Sequence, residues 1–499
     1  GTLIIGREVT GSYTYVDNEG DPEGATTVKW YRDNVEIPGE TTVSLVVNPS
    51  DIGATLRFEV TPVSDFAYPA STSVGFASAA SRVVPTLEFP IGEGGPGGLT
   101  KADGIGPLEL WMRPEQGLSH TIIGGEDIVT TWFDQSGYDN HAFPSGDNPT
   151  YVPDSGLNGL PTVAFDAASL EIVRTIQDDF TLFAVFSTVS DSGQDPSGGG
   201  WVSTPAIFGG EDPNGTDDFH LGVNQGQGLM VARDSDVSAT TLLDDGAPHS
   251  IEGVRGVASS PGVTIYVDSV SEINSPLAGG MGSLDDSSML QIGASTPIQG
   301  FFKGNIYELV IWSKILGSGD RLQLSNYIYG KYGIVPARIL YNEAVTHGRE
   351  VAGFGRDNFL DITSAAEGHG ILEVSNPSAL TSSGDFLFWG TDLPRNFSLS
   401  TEVPGGGLTH RWLRTWAFTE SNGADGNGLG TVDLRFRLNG LSLPTDAGEY
   451  AVLYDADLDF SDATVFTTGA TYDPIEETIT FTGFEPTGVA YFTLAFVLP

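Results

Sequence analysis

The sequence predicts an all-β protein of tandem β-sandwich domains, with one short helix near residues 318–333. Three observations predict it. Gly at 65 and Pro at 29 provide abundant turns. Val, Thr, Phe and Tyr recur in the short runs that strands favour. Many of those runs alternate apolar and polar residues, as on a sheet with one wet face. A chain of 499 residues exceeds one hydrophobic core, so several domains are expected, and a 39% hydrophobic content can fill them.

Taken in order, residues 1–84 carry TTVKWYRDNVEI, TTVSLVV and ATLRFEVTPVS, alternating runs separated by Asp, Asn and Gly, as in an antiparallel sandwich. A hairpin is expected around Asp33-Asn34, with Trp30 as the core aromatic. Residues 85–106, which include GEGGPGG, read as a glycine-rich linker too loose for a core element. No Lys-Ser/Thr follows GEGGPGG, so it is not a phosphate cradle. Residues 107–334 hold a long series of strand-like runs and then SGDRLQLSNYIYGKYG, the one good helix. Ser318 is its expected N-cap, Leu322, Leu324, Ile328 and Tyr332 its apolar positions, and Gly333 its stop. Residues 335–499 return to β-rich sequence, from HGREVAGFGRD to AYFTLAFVLP.

Three resemblances accompany this reading. Trp30 followed by NPSDIGATLRFEVTP resembles bacterial immunoglobulin-like modules of large secreted proteins, which implies a disulfide-free spacer or stalk. LWMRPEQG, TWFDQSGYDNHA, GLPTVAFD, the pair PHSIEGVRG and VTIYVD, and FKGNIYELVIWSKIL resemble a laminin G-like, concanavalin-type jelly roll of marine bacterial surface proteins. The last segment is similar to an uncharacterised C-terminal β module that often follows that jelly roll. It implies an extracellular or cell-surface location, with an export-sorting domain commonly beyond it. The start at Gly1 without a signal peptide is read as a processed or trimmed form, and the sorting domain as cleaved or lacking.

Charge and composition narrow the partners. The balance of 22 basic against 65 acidic residues gives a formal charge of −43, which disfavours nucleic acid and anionic membranes and favours solubility and cation binding. With no cysteine, a disulfide scaffold, a zinc-thiolate site and a thiol nucleophile are excluded. No run approaches the roughly 20 apolar residues of a membrane-spanning helix.

The segment Thr131 to Phe143, TWFDQSGYDNHAF, concentrates polar side chains around one glycine. It reads foremost as a strand entering a tight corner, with Trp132 and Phe133 packing and Asp134, Ser136, Asp139 and Asn140 satisfying turn backbone. The sharper alternatives make Asp134, Asp139 and Asn140 oxygen ligands for calcium, or His141 a base. A second acidic stretch, YDADLDFSDA, holds Asp455, Asp457, Asp459 and Asp462. It is not an EF-hand, because Phe460 stands where that loop needs glycine and no glutamate stands at the twelfth position. A solvated turn is the main reading and a looser calcium loop the alternative, so calcium is the one cofactor entertained. The pairs Asp178-Asp179, Asp217-Asp218, Asp244-Asp245 and Asp285-Asp286 read as exposed turns.

Catalytic patterns do not stand out. The E-x-D-x-x-E spacing of retaining hydrolases, H-E-x-x-H and G-x-S-x-G are all missing, and the seven histidines are scattered. Sugar binding by stacking assigns Trp201, Phe219, His220 and Asn224 as candidates, with Trp111, Trp132 and Trp312 kept for the core. Arg411 and Arg414 are expected to pair with carboxylates. The resulting expectation is a non-catalytic structural or adhesive protein, part of a surface adhesin or a subunit of a fibre. Fibre contacts are expected from the apolar terminal strands GTLIIG and FTLAFVLP adding to a neighbour's sheet. The alternatives are a calcium-dependent lectin binding a glycan and a polysaccharide-active enzyme.

Overall fold

A computed structural model describes residues 8–15, 22–32, 35–46, 55–63, 76–77, 81–82, 94–173, 176, 178–189, 200–211, 218–232, 235–257, 262–276, 284, 289–358, 361–368, 371–392, 398–405, 407–423, 425–426, 428–438, 443–486 and 491–497. The GTLIIG strand, the Asp33-Asn34 turn, Asp217, the Asp285-Asp286 pair and the side chain of Trp201 lie outside the described residues. The chain is mostly β, with two α-helices among the described residues, and divides into two compact units, Gly1–Glu88 and Phe89–Pro499.

In the first unit, Thr27–Arg32 pairs antiparallel with Val35–Glu36 and Thr55–Thr61 in a five-stranded sheet, and Glu8–Thr10 pairs with Ser44–Val46. Alternation decides the buried face: Val28 and Trp30 point inward and meet Leu56, Phe58 and Val60. Trp30 is 5% exposed, lies 4.9 Å from the Phe58 ring and donates its indole N–H to Thr42 O at 3.0 Å.

The second unit contains two sandwiches. In the first, a ten-stranded sheet faces a seven-stranded one across a core that includes Leu182, Phe186, Ile306 and Ile311 from one side and Phe208, Phe219, Leu221 and Ile292 from the other. In the second, an eight-stranded sheet faces a five-stranded one around Trp389, Trp412, Trp416, Phe436, Phe481 and Phe492. Between the sandwiches lies a third core. The outer face of the ten-stranded sheet brings Trp111, Phe183, Tyr307, Val310 and Trp312. Helix α1 (Ser318–Tyr332) brings Leu324, Tyr327, Ile328 and Tyr332, and the eight-stranded sheet brings Val351, Phe386 and Phe388. The modules expected on either side of residue 334 therefore share one continuous packing.

This shared core explains the composition of its strands. Phe180–Ser187, FTLFAVFS, is buried at all eight positions, because Leu182, Ala184 and Phe186 face one core while Phe183 and Val185 face another. Asp385–Thr391 repeats the arrangement, with Leu387 and Trp389 on one side and Phe386 and Phe388 on the other.

Two expectations require correction here. From Gly94 onward the glycine-rich stretch is a packed strap. Gly97 bridges Ala352 in the edge strand Arg349–Arg356, and Gly353 N donates to Gly97 O at 3.2 Å. A Cβ on Gly94 would stand 1.5 Å from Glu367 O, and Gly98, at φ 77°, sits against Ala352 and Ala366. The glycines allow backbone to touch backbone. The helix cap also moves by one residue: Gly317 takes the N-cap position, where a Cβ would come within 2.7 Å of the Asp361 carboxylate. Asp320 accepts from Gly317 N at 3.3 Å, while Ser318 bonds Asp357 and Asp361. At the other end Gly333, at φ 73°, closes the helix and donates to Tyr329 O at 2.9 Å.

The terminal-strand expectation fails for its described half. Tyr491–Phe496 pairs with Tyr450–Asp455 on one side and with Trp416–Ser421 and His410–Trp412 on the other. Its ladder positions are filled from within the sheet, so it offers no free edge to a neighbour.

Candidate functional site

The segment TWFDQSGYDNHAF turns a corner. Trp132 anchors it in the core, and the Asp134 carboxylate, 6% exposed, accepts four hydrogen bonds. These come from Trp111 N and Ser136 N at 2.9 Å each, Ser136 Oγ at 2.6 Å and Asn140 N at 3.1 Å. Gly137, at φ 91°, presses on Gly104 so closely that a Cβ would reach Gly104 N at 2.5 Å. Asn140 donates to Glu109 O at 2.9 Å, and His141 Nδ1 accepts from Asp134 N at 3.3 Å. Asp139, at φ 59°, is exposed. Asp134 and Asn140 are thus brought together as scaffold. The lone pairs of that carboxylate face four donors of its own chain.

The acidic loop after Tyr450–Asp455 is likewise a chain of local turns. Asp455 Oδ1 accepts from Ala456 N at 2.6 Å, Asp457 Oδ1 from Asp459 N at 2.8 Å and Asp459 Oδ1 from Ser461 N at 3.0 Å. Asp462 ends the short helical turn Phe460–Asp462. Among the described residues no three His, Asp or Glu side chains gather closely enough to hold a metal ion.

Two of the four sugar-stacking candidates are also corrected. Phe219 and His220 are fully buried. Phe219 packs edge-on against Phe180 at 6.0 Å, so its face cannot meet a sugar. His220 lies between Ser295 Oγ at 3.2 Å and Thr204 Oγ1 at 3.3 Å, and burial pushes its pKa down to about 3. Asn224 flanks the tight turn at Gln225-Gly226. Arg411 pairs with Glu402 and lies over the Phe460 ring at 4.9 Å, while Arg414 lies over the Trp416 ring at 5.8 Å.

The strongest concentration of ionisable groups lies elsewhere, in the core between the sandwiches. Glu308, at 0% exposure, accepts from Trp111 Nε1 at 2.7 Å, Tyr327 OH at 2.9 Å, Tyr332 OH at 2.7 Å and Lys331 Nζ at 2.8 Å. Lys331 Nζ also lies 2.6 Å from Glu115. Arg113, buried and stacked 4.2 Å over the Trp111 ring, stands 3.6 Å from Glu350 and 3.9 Å from Glu115. Each sandwich contributes: Arg113, Glu115 and Glu308 come from the first, Glu350 from the edge strand of the second, and the helix supplies Lys331 and both phenols. Burial opposes ionisation of Glu308, but the Lys331 ammonium and the surrounding donors outweigh it and hold the carboxyl below its usual value. Burial likewise opposes the charge on Lys331 and Arg113, and the neighbouring carboxylates reverse the balance and raise both pKa values. The arrangement fixes ions in place. The sequence carried one signal of it: a lone glutamate inside the apolar run NIYELVIW, which must find partners if both faces are covered.

Along the same helix, a small depression is lined by Phe183, Ser250, Glu252, Tyr266, Ser269, Arg321, Leu324 and Ser325. Arg321 Nε binds Glu252 at 2.8 Å, and its guanidinium lies 4.3 Å over the Tyr266 ring. Burial raises the Glu252 pKa, with Arg321 opposing the shift.

Beside it, His249 spans two loops. Its Nδ1 meets Asp268 at 2.8 Å and its Nε2 meets Asp245 at 3.1 Å. The hydrogen bond to Asp268 raises its pKa, against the effect of burial. A raised folded pKa means that this bridge stabilises fully below the unfolded value of roughly 6.5, and the contribution fades as pH rises through the folded value. The thermal midpoint of the protein should therefore exceed that of a His249→Gln variant at mildly acidic pH, with a gap that narrows toward alkaline pH. A gap that widens with pH contradicts the bridge.

Comparison with known proteins adds the following. No protein-family model and no curated protein matches the chain. Solved structures similar to it include domain 4 of AbnA, a GH43 extracellular arabinanase from Geobacillus stearothermophilus, in complex with arabinotriose. That similarity has 12% identity, covers 44% of this chain and 98% of the other, and gives a TM-score of 0.31. The binding domain of Paraclostridial Mosquitocidal Protein 1 is 11% identical over 75% of this chain and 91% of its own, with a TM-score of 0.33. The receptor binding domain of a botulinum neurotoxin C/D mosaic serotype is 10% identical over 78% and 92%, with a TM-score of 0.31.

Proposed function

We propose that this chain is a non-catalytic structural and adhesive protein of the bacterial cell surface or extracellular matrix. The observation that carries the reading is the buried ion network around Glu308. Its three carboxylates, two cations and two phenols are held against one another across two sandwiches, which makes one stiff body of them. A catalytic carboxylate must meet a substrate, whereas Glu308 faces donors of its own chain on every side. The resemblance of the segments to immunoglobulin-like and laminin G-like modules supports a place outside the cell. The formal charge of −43 suits a protein that stays soluble.

The test is incubation of the purified protein with a panel of immobilised neutral and acidic polysaccharides, with and without chelator. The expected result is retention on a surface or matrix with no new reducing ends and no dependence on chelator. Steady release of reducing ends overturns the reading. Retention that chelator abolishes replaces it with a calcium-dependent lectin.

A further inference from the structure

The Leu118–Ile123 strand ends the ten-stranded sheet and, among the described residues, pairs with Glu126–Trp132 alone. Its residues, LSHTII, include no Asp, Glu, Lys or Arg, in a chain whose formal charge is −43. Ile122 is 72% exposed and Ile123 60%. Sheet edges normally carry a charge, a proline, a cover or a very short strand that keeps other chains away. Among the described residues, the other outermost strands of the second unit show those devices. Val270–Pro276 carries Glu272 and ends in proline, and Glu272 ties it to Thr240 and Thr241 of Ser235–Leu242. Ser235–Leu242 is tied in turn to Glu272 through Thr240 and Thr241, and Arg349–Arg356 is covered by the strap at Gly97. Phe143–Pro144, Ser398–Leu399, Thr464–Phe466, Ala365–Glu367 and Thr471–Asp473 are three residues or shorter.

We propose that two copies of this chain join edge to edge through Leu118–Ile123, continuing the ten-stranded sheet antiparallel across a two-fold axis. The missing charge is the reason for choosing a second copy. Two bodies this acidic repel each other, and the approach costs least along a strand that carries no carboxylate of its own; beside it Asp127 is engaged by His120, and exposed Glu126 lies past the turn. The strand is already ordered for pairing. His120 is held by Asp127 at 2.6 Å and stacked on Tyr151 at 4.3 Å, and the Gly124-Gly125 turn makes the hairpin tight. Ile123 and Glu126 flank that two-residue turn, so they exchange the hairpin's closing hydrogen bonds, and alternation directs the N–H groups of Ile122 and His120 outward. With the axis at Thr121, His120 of one copy stands opposite Ile122 of the other and both can exchange backbone hydrogen bonds. Such a contact is isologous and closes as a dimer. One edge strand is a small interface, so the affinity belongs to the weak, concentration-dependent class.

This inference rests on the structural reading above and moves its strand contact from the chain terminus to this edge. Sedimentation and light scattering test it across a range reaching roughly 100 µM. The wild type should approach twice its 52.7 kDa mass at the upper end and dissociate on dilution. Ile122→Asp, which puts a carboxylate on each side of the contact, should weaken association by at least about tenfold. Ile122→Pro, which removes one outward N–H and is tolerated on an edge, should do the same. Both should melt within a few degrees of the wild type. A wild type that stays monomeric throughout, or a dimer undiminished in both variants, overturns the edge contact. If the monomer is still retained on polysaccharide without cutting it, the structural reading survives that outcome.

Discussion

Replacing Glu308 with alanine is expected to destabilise the Phe89–Pro499 unit by about 3–5 kcal/mol, the range for removing one partner of a buried pair. The loss arises mainly in the groups left behind. Lys331 loses one of its two carboxylates, and Trp111 Nε1 and Tyr332 OH lose an acceptor while fully buried. Urea unfolding measures the effect, and a change below about 1 kcal/mol would count against the network as the clamp. The pH dependence adds a second check. The folded carboxyl titrates below its unfolded value of about 4.3, so its contribution is whole above that pH and disappears as pH falls through the folded value. The alanine variant should therefore lose less stability on acidification than the wild type does.

The second large effect is expected from Gly94→Val. The added Cβ would stand 1.5 Å from Glu367 O, a backbone atom that cannot swing aside. Glu367 is itself fixed by a buried ion pair with Arg437. The strap must leave its seat, at a cost of at least the ~1–3 kcal/mol of an overpacked core. Trypsin offers the readout, because Lys101 is exposed and Gly94 bridges it in the seated strap. Cleavage after Lys101 should accelerate severalfold in the variant, and an unchanged rate contradicts the seating.

Much of the architecture was readable from local pattern. Alternation placed the strands of the first unit and set Trp30 inside; Trp111, Trp132 and Trp312 are core; the helix ends at Gly333 as its left-handed conformation requires. What pattern could not supply was the partner across a long sequence gap. FTLFAVFS and DFLFWGT are uniformly apolar because two cores claim them, yet each can also be read as an ordinary sandwich strand. The glycines at 94–98 look like a flexible linker until the backbone they touch is known. For the same reason Phe219 and His220 passed as surface candidates: whether a ring faces solvent depends on what lies over the sheet. Glu308 was visible as an oddity in an apolar run, but Lys331 and Arg113 become its company only after the helix docks.

The strap has a temporal consequence. Gly97 is synthesised early, but the strand it seals, Arg349–Arg356, follows roughly 250 residues later, a high-contact-order closure. While the ribosome is still delivering that strand, the nascent chain carries Phe183, Trp312 and the apolar side of the helix without their lid. Expression in a host short of holding chaperones should therefore fail at this late step, and a chain truncated before residue 349 should be recovered as aggregate.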